Sequence, residues 1–210
     1  MGKTIQGRSH YASEIISFDD STECDLFYEE LKIVFYNIDT WGLLFDNGTH
    51  FYRVQPTENS TSFNSLSQKL VKIKIPGIPN NLGGGYDWVE TKDYEYHIKV
   101  GFTTIRFTIS PCCKPGNNLT THFYTAEAKT HFVIKKFIKH INVEVHGIDE
   151  IPNYKGLSFY KKFRNFYMAN GGIFGMSKVH WEIWCKNILD EKYIKKCIEK
   201  DQNRNNQYIY

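Results

Sequence analysis

Four of the eight histidines, His122, His131, His140 and His146, fall within a single 25-residue window. Imidazoles gathered in this way can ligate a metal or move protons, so their spacing decides what they are for. The intervals are nine, nine and six residues. Metal-ligand pairs on a helix recur at three or four residues, and paired histidines on a strand at two. Neither spacing occurs in this window, so no metal site and no other cofactor is expected. The remaining reactive groups are equally isolated. Cys112 and Cys113 are followed by Lys114, which favours a thiolate, but no histidine sits at a telling distance. Gly83–Gly85 lack the Lys-Ser/Thr of a phosphate-cradling loop. Asp87, Glu90, Asp93 and Glu95 are acidic without the pairing that acid–base work requires.

Surface chemistry offers more. Between Lys129 and Arg164 lie eight basic residues, against only Glu144, Asp149 and Glu150. Aromatic residues, Tyr160 among them, are interleaved with these cations. Cations for phosphates and rings for bases make up the physical recipe for single-stranded nucleic acid or RNA. The candidate contact residues are Lys129, Lys135, Lys136, Lys139, Tyr160, Lys161, Lys162 and Arg164. The net charge of +3 conceals an asymmetry. Residues 1–100 carry 9 Lys/Arg and 14 Asp/Glu, while residues 101–210 carry 17 and 9. A split of this kind directs an anionic partner to the second half.

With 210 residues, 41% apolar and 16% aromatic, the chain can bury a sizeable core and reads as one domain. The loop 76–85, rich in Pro and Gly, is the candidate internal boundary. No apolar run approaches the ~20 residues of a membrane span, and the N-terminus has no hydrophobic leader. The expectation is a cytoplasmic protein with no membrane partner. Five cysteines, an odd and sparse set, are expected to be reduced thiols.

The elements that would position these residues follow from periodicity. Residues 1–24 read as a polar lead-in, with a turn or helix start at Asp19–Thr22. The run LKIVFY within 27–36 reads as a strand on composition. Asn47-Gly48 between aromatic runs predicts a hairpin over Trp41–Val54. A polar loop spans 56–67, and Leu70–Ile75 alternates as a strand. Tyr86–Glu95 leads into Tyr96–Val100 and Thr104–Ile109, which read as another strand pair joined near Gly101 or slightly later.

From about Thr121 a helix is expected, with Val133, Ile134, Phe137, Ile138 and Ile141 on its apolar arc and His131, Lys135 and Lys139 opposite. A strand over 141–145 follows it. The alternative is strand throughout from His131. Leu157–Ala169 reads as a helix with a broad aromatic stripe, stopped by Asn170-Gly171-Gly172. Val179–Trp184 is a strand or short helix, and Leu189–Glu199 a helix.

The class that fits is α+β, a mainly antiparallel sheet with two or three helices from the second half. The expected function is a non-enzymatic intracellular binding protein, docking on a ribonucleoprotein or RNA-containing assembly such as the ribosome. Two alternatives stand beside it. One is a nucleotide- or nucleic-acid-processing enzyme whose site is built from dispersed His and acidic residues. The other is a structural subunit of a viral or cellular assembly.

Overall fold

Asp20 opens the first helix: its carboxylate accepts from the Thr22 amide at 3.2 Å, capping α1 (Ser21–Tyr36). Cys24, Phe27, Tyr28, Leu31, Val34 and Phe35 are buried at helical spacing along it. That 3.6-residue stripe overrides the strand-like composition of LKIVFY, so the expected strand is a helix. The computed structural model describes residues 7–54, 69–77, 79–154, 156–169 and 178–206. The polar loop 56–67 and the Asn170-Gly171-Gly172 stop lie outside the described residues.

The expected hairpin over Trp41–Val54 is corrected on one arm. Gly48 has φ 73°, as the Asn-Gly turn requires. The residues before it, however, form a 3-10 helix, Ile38–Leu44. Trp41 is responsible. It is fully buried, donates Nε1–H to the Val34 carbonyl at 3.0 Å, and meets Phe51, Phe107, Phe132 and Trp184 at centroid distances of 4.8 to 5.9 Å. A strand would have turned alternate residues of this run outward, whereas Trp41, Gly42, Leu44 and Phe45 are all buried.

The sheet is antiparallel throughout. Its strands are β1 (Arg8–Ser17), β2 (His50–Arg53), β3 (Leu70–Lys74), β4 (Asp87–Lys99), β5 (Phe102–Pro111), β6 (Lys129–Phe137) and β7 (His140–Glu150), in the spatial order β1-β7-β6-β5-β4-β3-β2. Within the supposed lead-in, Arg8–Ser17 is therefore an edge strand, paired along β7. Across the glycine loop, β3 and β4 pair directly, and Trp88 donates to the Gly83 carbonyl at 2.8 Å.

The helix expected from Thr121 is absent. β6 and β7 form a hairpin there, in line with the alternative reading of strand from His131. Phe132, Ile134, Ile141, Val143 and Val145 point to one face and are fully buried, while His131, Lys135, Asn142 and His146 take the other. A period of two satisfies the neighbouring strands on both sides, which an isolated helical arc over the same residues could not.

Helices from the second half are α2 (Phe159–Ala169), α3 (Lys178–Ile188) and α4 (Glu191–Asn206). α1, the 3-10 helix, α3 and α4 cover the apolar face of the sheet, where Trp41, Trp184, Phe35, Phe107 and Phe132 form the centre of the core. The architecture is α+β. Among the described residues no helix is long and apolar enough to cross a membrane.

Candidate functional site

The eight predicted contact residues do not share a surface. Lys135 and Lys136 are neighbours on β6 and leave the sheet on opposite faces. Lys135 bonds Glu144 at 2.6 Å, Lys136 pairs with Asp25 of α1, and Lys139 donates to the Asp19 carbonyl at 2.7 Å. Arg164 corrects the expectation most clearly. It is 7% exposed and grips Asp87, a carboxylate 1% exposed, through both terminal nitrogens. It is a structural cation, not a contact residue. Lys129, Tyr160 and Lys162 are exposed, and Lys161 is half-buried.

The four clustered histidines also separate. His131 and His146 face each other across β6 and β7, His140 stacks on Phe137, and His122 is buried beyond the end of β5. His131 bonds Thr108 at 2.8 Å, and burial, with Arg106 and His146 adding to it, lowers its pKa. His146 bonds Glu144 at 2.8 Å. Burial would raise the Glu144 carboxyl, but hydrogen bonds from Lys135 and His146 outweigh it and hold the group below the ordinary range. Among the described residues no three His, Cys, Asp or Glu side chains converge as a metal site.

A different set of residues does converge. Between the sheet and α3 lies a cavity of about 40 Å³, walled by Phe51, Ile73, Val89, Ile109, Phe123 and Trp181. Of the polar residues that also line it, Thr49, Glu150 and His180 stand apart. Each carries a buried side-chain atom without a hydrogen-bond partner among the described residues, namely Thr49 Oγ1, Glu150 Oε1 and His180 Nε2. Buried polar atoms are nearly always paired, so three unpaired ones around one cavity are unusual.

Local structure sets the state of each. Asn47 follows the 3-10 helix and accepts the Thr49 amide through Oδ1 at 3.0 Å, which orients its Nδ2 toward His180 Nδ1 at 3.4 Å. An amide nitrogen only donates, so Nδ1 accepts and the single ring proton sits on Nε2. Burial drives the His180 pKa down to about 3, which keeps the ring neutral. The ring is fixed by stacking on Phe45 with centroids 3.8 Å apart. His180 thus presents an N–H donor.

Glu150 comes from the end of β7. Its Oε2 meets His10 Nδ1 of β1 at 2.9 Å, leaving Oε1 as the unpartnered acceptor. Asp149 before it has φ 53°, a left-handed conformation uncommon outside glycine. Gly147 leaves room for the pair, because a Cβ there would collide with the His10 ring and Glu150 Oε1.

His122 closes one wall of the cavity. Its Nδ1 accepts from the Tyr124 amide at 3.0 Å, and burial lowers its pKa to about 4, with Arg164 adding to the shift and Asp87 opposing it. On its far side Asn165 donates to the Asn153 carbonyl at 2.7 Å and Asn80 donates to Asp87 at 3.0 Å. This buried network ties α2 to the end of the sheet.

None of Thr49, Glu150, His180 or His10 stands out in the sequence, because they are separated by dozens of residues and match no motif. No family model and no curated protein matches the chain. Among solved structures, the chain is similar to a hypothetical protein from Helicobacter pylori in a crystal structure, at 9% identity and a TM-score of 0.41, covering 88% of this chain and 87% of that one.

Proposed function

We propose that the protein binds a small, mainly apolar molecule by one polar end, held in the cavity beneath His180, Glu150 and Thr49. The observation that carries this reading is that three residues lining one apolar cavity each hold a buried polar atom without a hydrogen-bond partner among the described residues. Each such atom, left unpaired, costs about 1–3 kcal/mol, so a guest that pairs them is favoured by that amount. The guest must accept from His180 Nε2–H and donate to Glu150 Oε1, as a primary amide or a hydroxyl-bearing group does. At 10–15 Å³ per water-sized occupant, the space suits about three heavy atoms, or the end of a longer molecule. No Lys or Arg lines it among the described residues, so a phosphate is a poor fit.

The enzyme alternative gains from the same geometry, since His122, His180 and Glu150 converge from dispersed positions. The two rings, with pKa values of about 4 and about 3, stay neutral and take up no second proton near pH 7. That favours binding over proton transfer. The ribonucleoprotein reading retains Lys129, Lys139, Tyr160, Lys161 and Lys162 as contacts, on the β6–β7 hairpin and on α2.

Trp181 lines the cavity and serves as its reporter. Titration with short-chain primary amides and alcohols is expected to change tryptophan emission saturably. Thr49→Val and Glu150→Gln are expected to weaken the best binder about tenfold each. A flat response across the series, with no retained small molecule by native mass spectrometry, refutes the reading.

A further inference from the structure

Several aromatic side chains of α2 are exposed rather than packed on the described core. Arg164, Asn165, Met168 and Ala169 are its buried residues, whereas Phe159, Phe163 and Phe166 are 87%, 59% and 53% exposed and Tyr160 is 71% exposed. The three phenylalanines follow one another at four and three residues and lie on one side of the helix. Much of the aromatic stripe read from the sequence is thus turned outward. The helix cannot simply roll over, because Arg164 is held by Asp87 and Asn165 by the Asn153 carbonyl. Inverting it would break a buried ion pair.

At ~200 Å² per ring residue, these exposures leave about 500 Å² of aromatic surface in water. That is at the upper end of what a monomer shows, yet below the ~800 Å² per partner of a stable protein interface. The helix carries no acidic residue: its charges are Lys161, Lys162 and the internally paired Arg164. We propose that α2 docks on an anionic lipid surface, with Phe159, Phe163 and Phe166 in the acyl boundary, and Tyr160 and Lys162 at headgroup level. An interfacial helix needs no membrane span, so the lack of a spanning segment, which led to the expectation of no membrane partner, does not bear on it. The inference is independent of the cavity's ligand.

The full chain is tested with vesicles of phosphatidylcholine alone and with 30% phosphatidylserine, a composition of about the anionic content that recruits basic surfaces. Co-sedimentation is expected with the anionic vesicles and to fall at least tenfold in Phe159→Ala/Phe163→Ala/Phe166→Ala. Lys162→Glu is expected to weaken it several-fold. Phe159→Ser, at the most exposed position, gives a milder variant, and an unchanged melting temperature shows that the fold is retained. Three results overturn the inference. They are no binding by the wild type, equal binding by the triple variant, and a dimer by light scattering or a low-salt RNA complex that depends on the same rings.

Discussion

Replacing His180 with Phe separates a structural histidine from one held in place for a ligand. Phe keeps a planar ring against Phe45 and removes the unpartnered Nε2–H, whose burial costs about 1–3 kcal/mol. The bond from Asn47 that it loses is long, at 3.4 Å, and Asn47 is half-exposed, so water replaces it. The expected net gain is about 1 kcal/mol near pH 7.5, or roughly 2–4 °C in melting temperature for a chain of this size.

The pH dependence sharpens this prediction. His180 has its pKa lowered to about 3 in the folded protein, from an ordinary value of 6.5. The unfolded chain therefore binds a proton below pH 6.5 that the folded protein refuses until about pH 3, and wild-type stability falls across that window. At pH 5 this one group removes about 2 kcal/mol. His180→Phe escapes that loss, so its advantage is expected to widen by roughly 4–8 °C between pH 7.5 and pH 5. Calorimetric melting at the two pH values reads it directly. A variant that melts several degrees below the wild type at pH 7.5, or whose advantage does not grow at pH 5, refutes both the unpaired-donor argument and the neutral state of the ring. Tryptophan titration of the same variant is expected to show weakened binding despite its greater stability.

Other perturbations address the frame around the site. Asp87→Ala leaves Arg164 buried without its carboxylate and is expected to cost about 3–5 kcal/mol by urea unfolding, with α2 the first segment to lose amide protection in hydrogen exchange. Gly147→Ala places a methyl where the His10 ring and Glu150 lie and is expected to cost about 1–3 kcal/mol, with no compensating gain from unfolded-chain entropy. The thiols of Cys24, Cys112, Cys185 and Cys197 are raised by burial, those of Cys112 and Cys185 to about 12. At pH 8 Cys24, Cys185 and Cys197, which are buried, are expected to react with Ellman's reagent only as fast as the protein opens, and fast modification of all three in the native chain would contradict their burial. Lys135→Glu sets a second carboxylate against Glu144, so a modest loss of stability is expected on melting, before any effect on a partner is read.

Some of this molecule is written locally. Alternation in Leu70–Ile75 and Thr104–Ile109 yields strands because neighbouring side chains must take opposite faces, whatever the rest of the chain does. Asn47-Gly48 turns the chain because only such residues accept positive φ cheaply. The arms of that turn were not local. Trp41 found aromatic neighbours on β2, β5, β6 and α3, and this burial outweighed the strand propensity of the residues around it. The same competition decided 129–150, where a helical arc and a strand alternation coexist in the residues, and pairing with β5 and β1 chose the strand.

The candidate site lay further from view. The histidine window is conspicuous in sequence, yet the sheet sends His131 and His146 to one face and His122 to the cavity wall. Thr49, Glu150 and His180 are unremarkable where they stand and meet only because β7 ends beside α3 and the turn after the 3-10 helix. For α2, the spacing of Phe159, Phe163 and Phe166 determined a helix with one apolar side. Which way that side faces was decided by Asp87, 77 residues earlier, whose buried carboxylate draws Arg164 inward and turns the aromatic stripe to the outside.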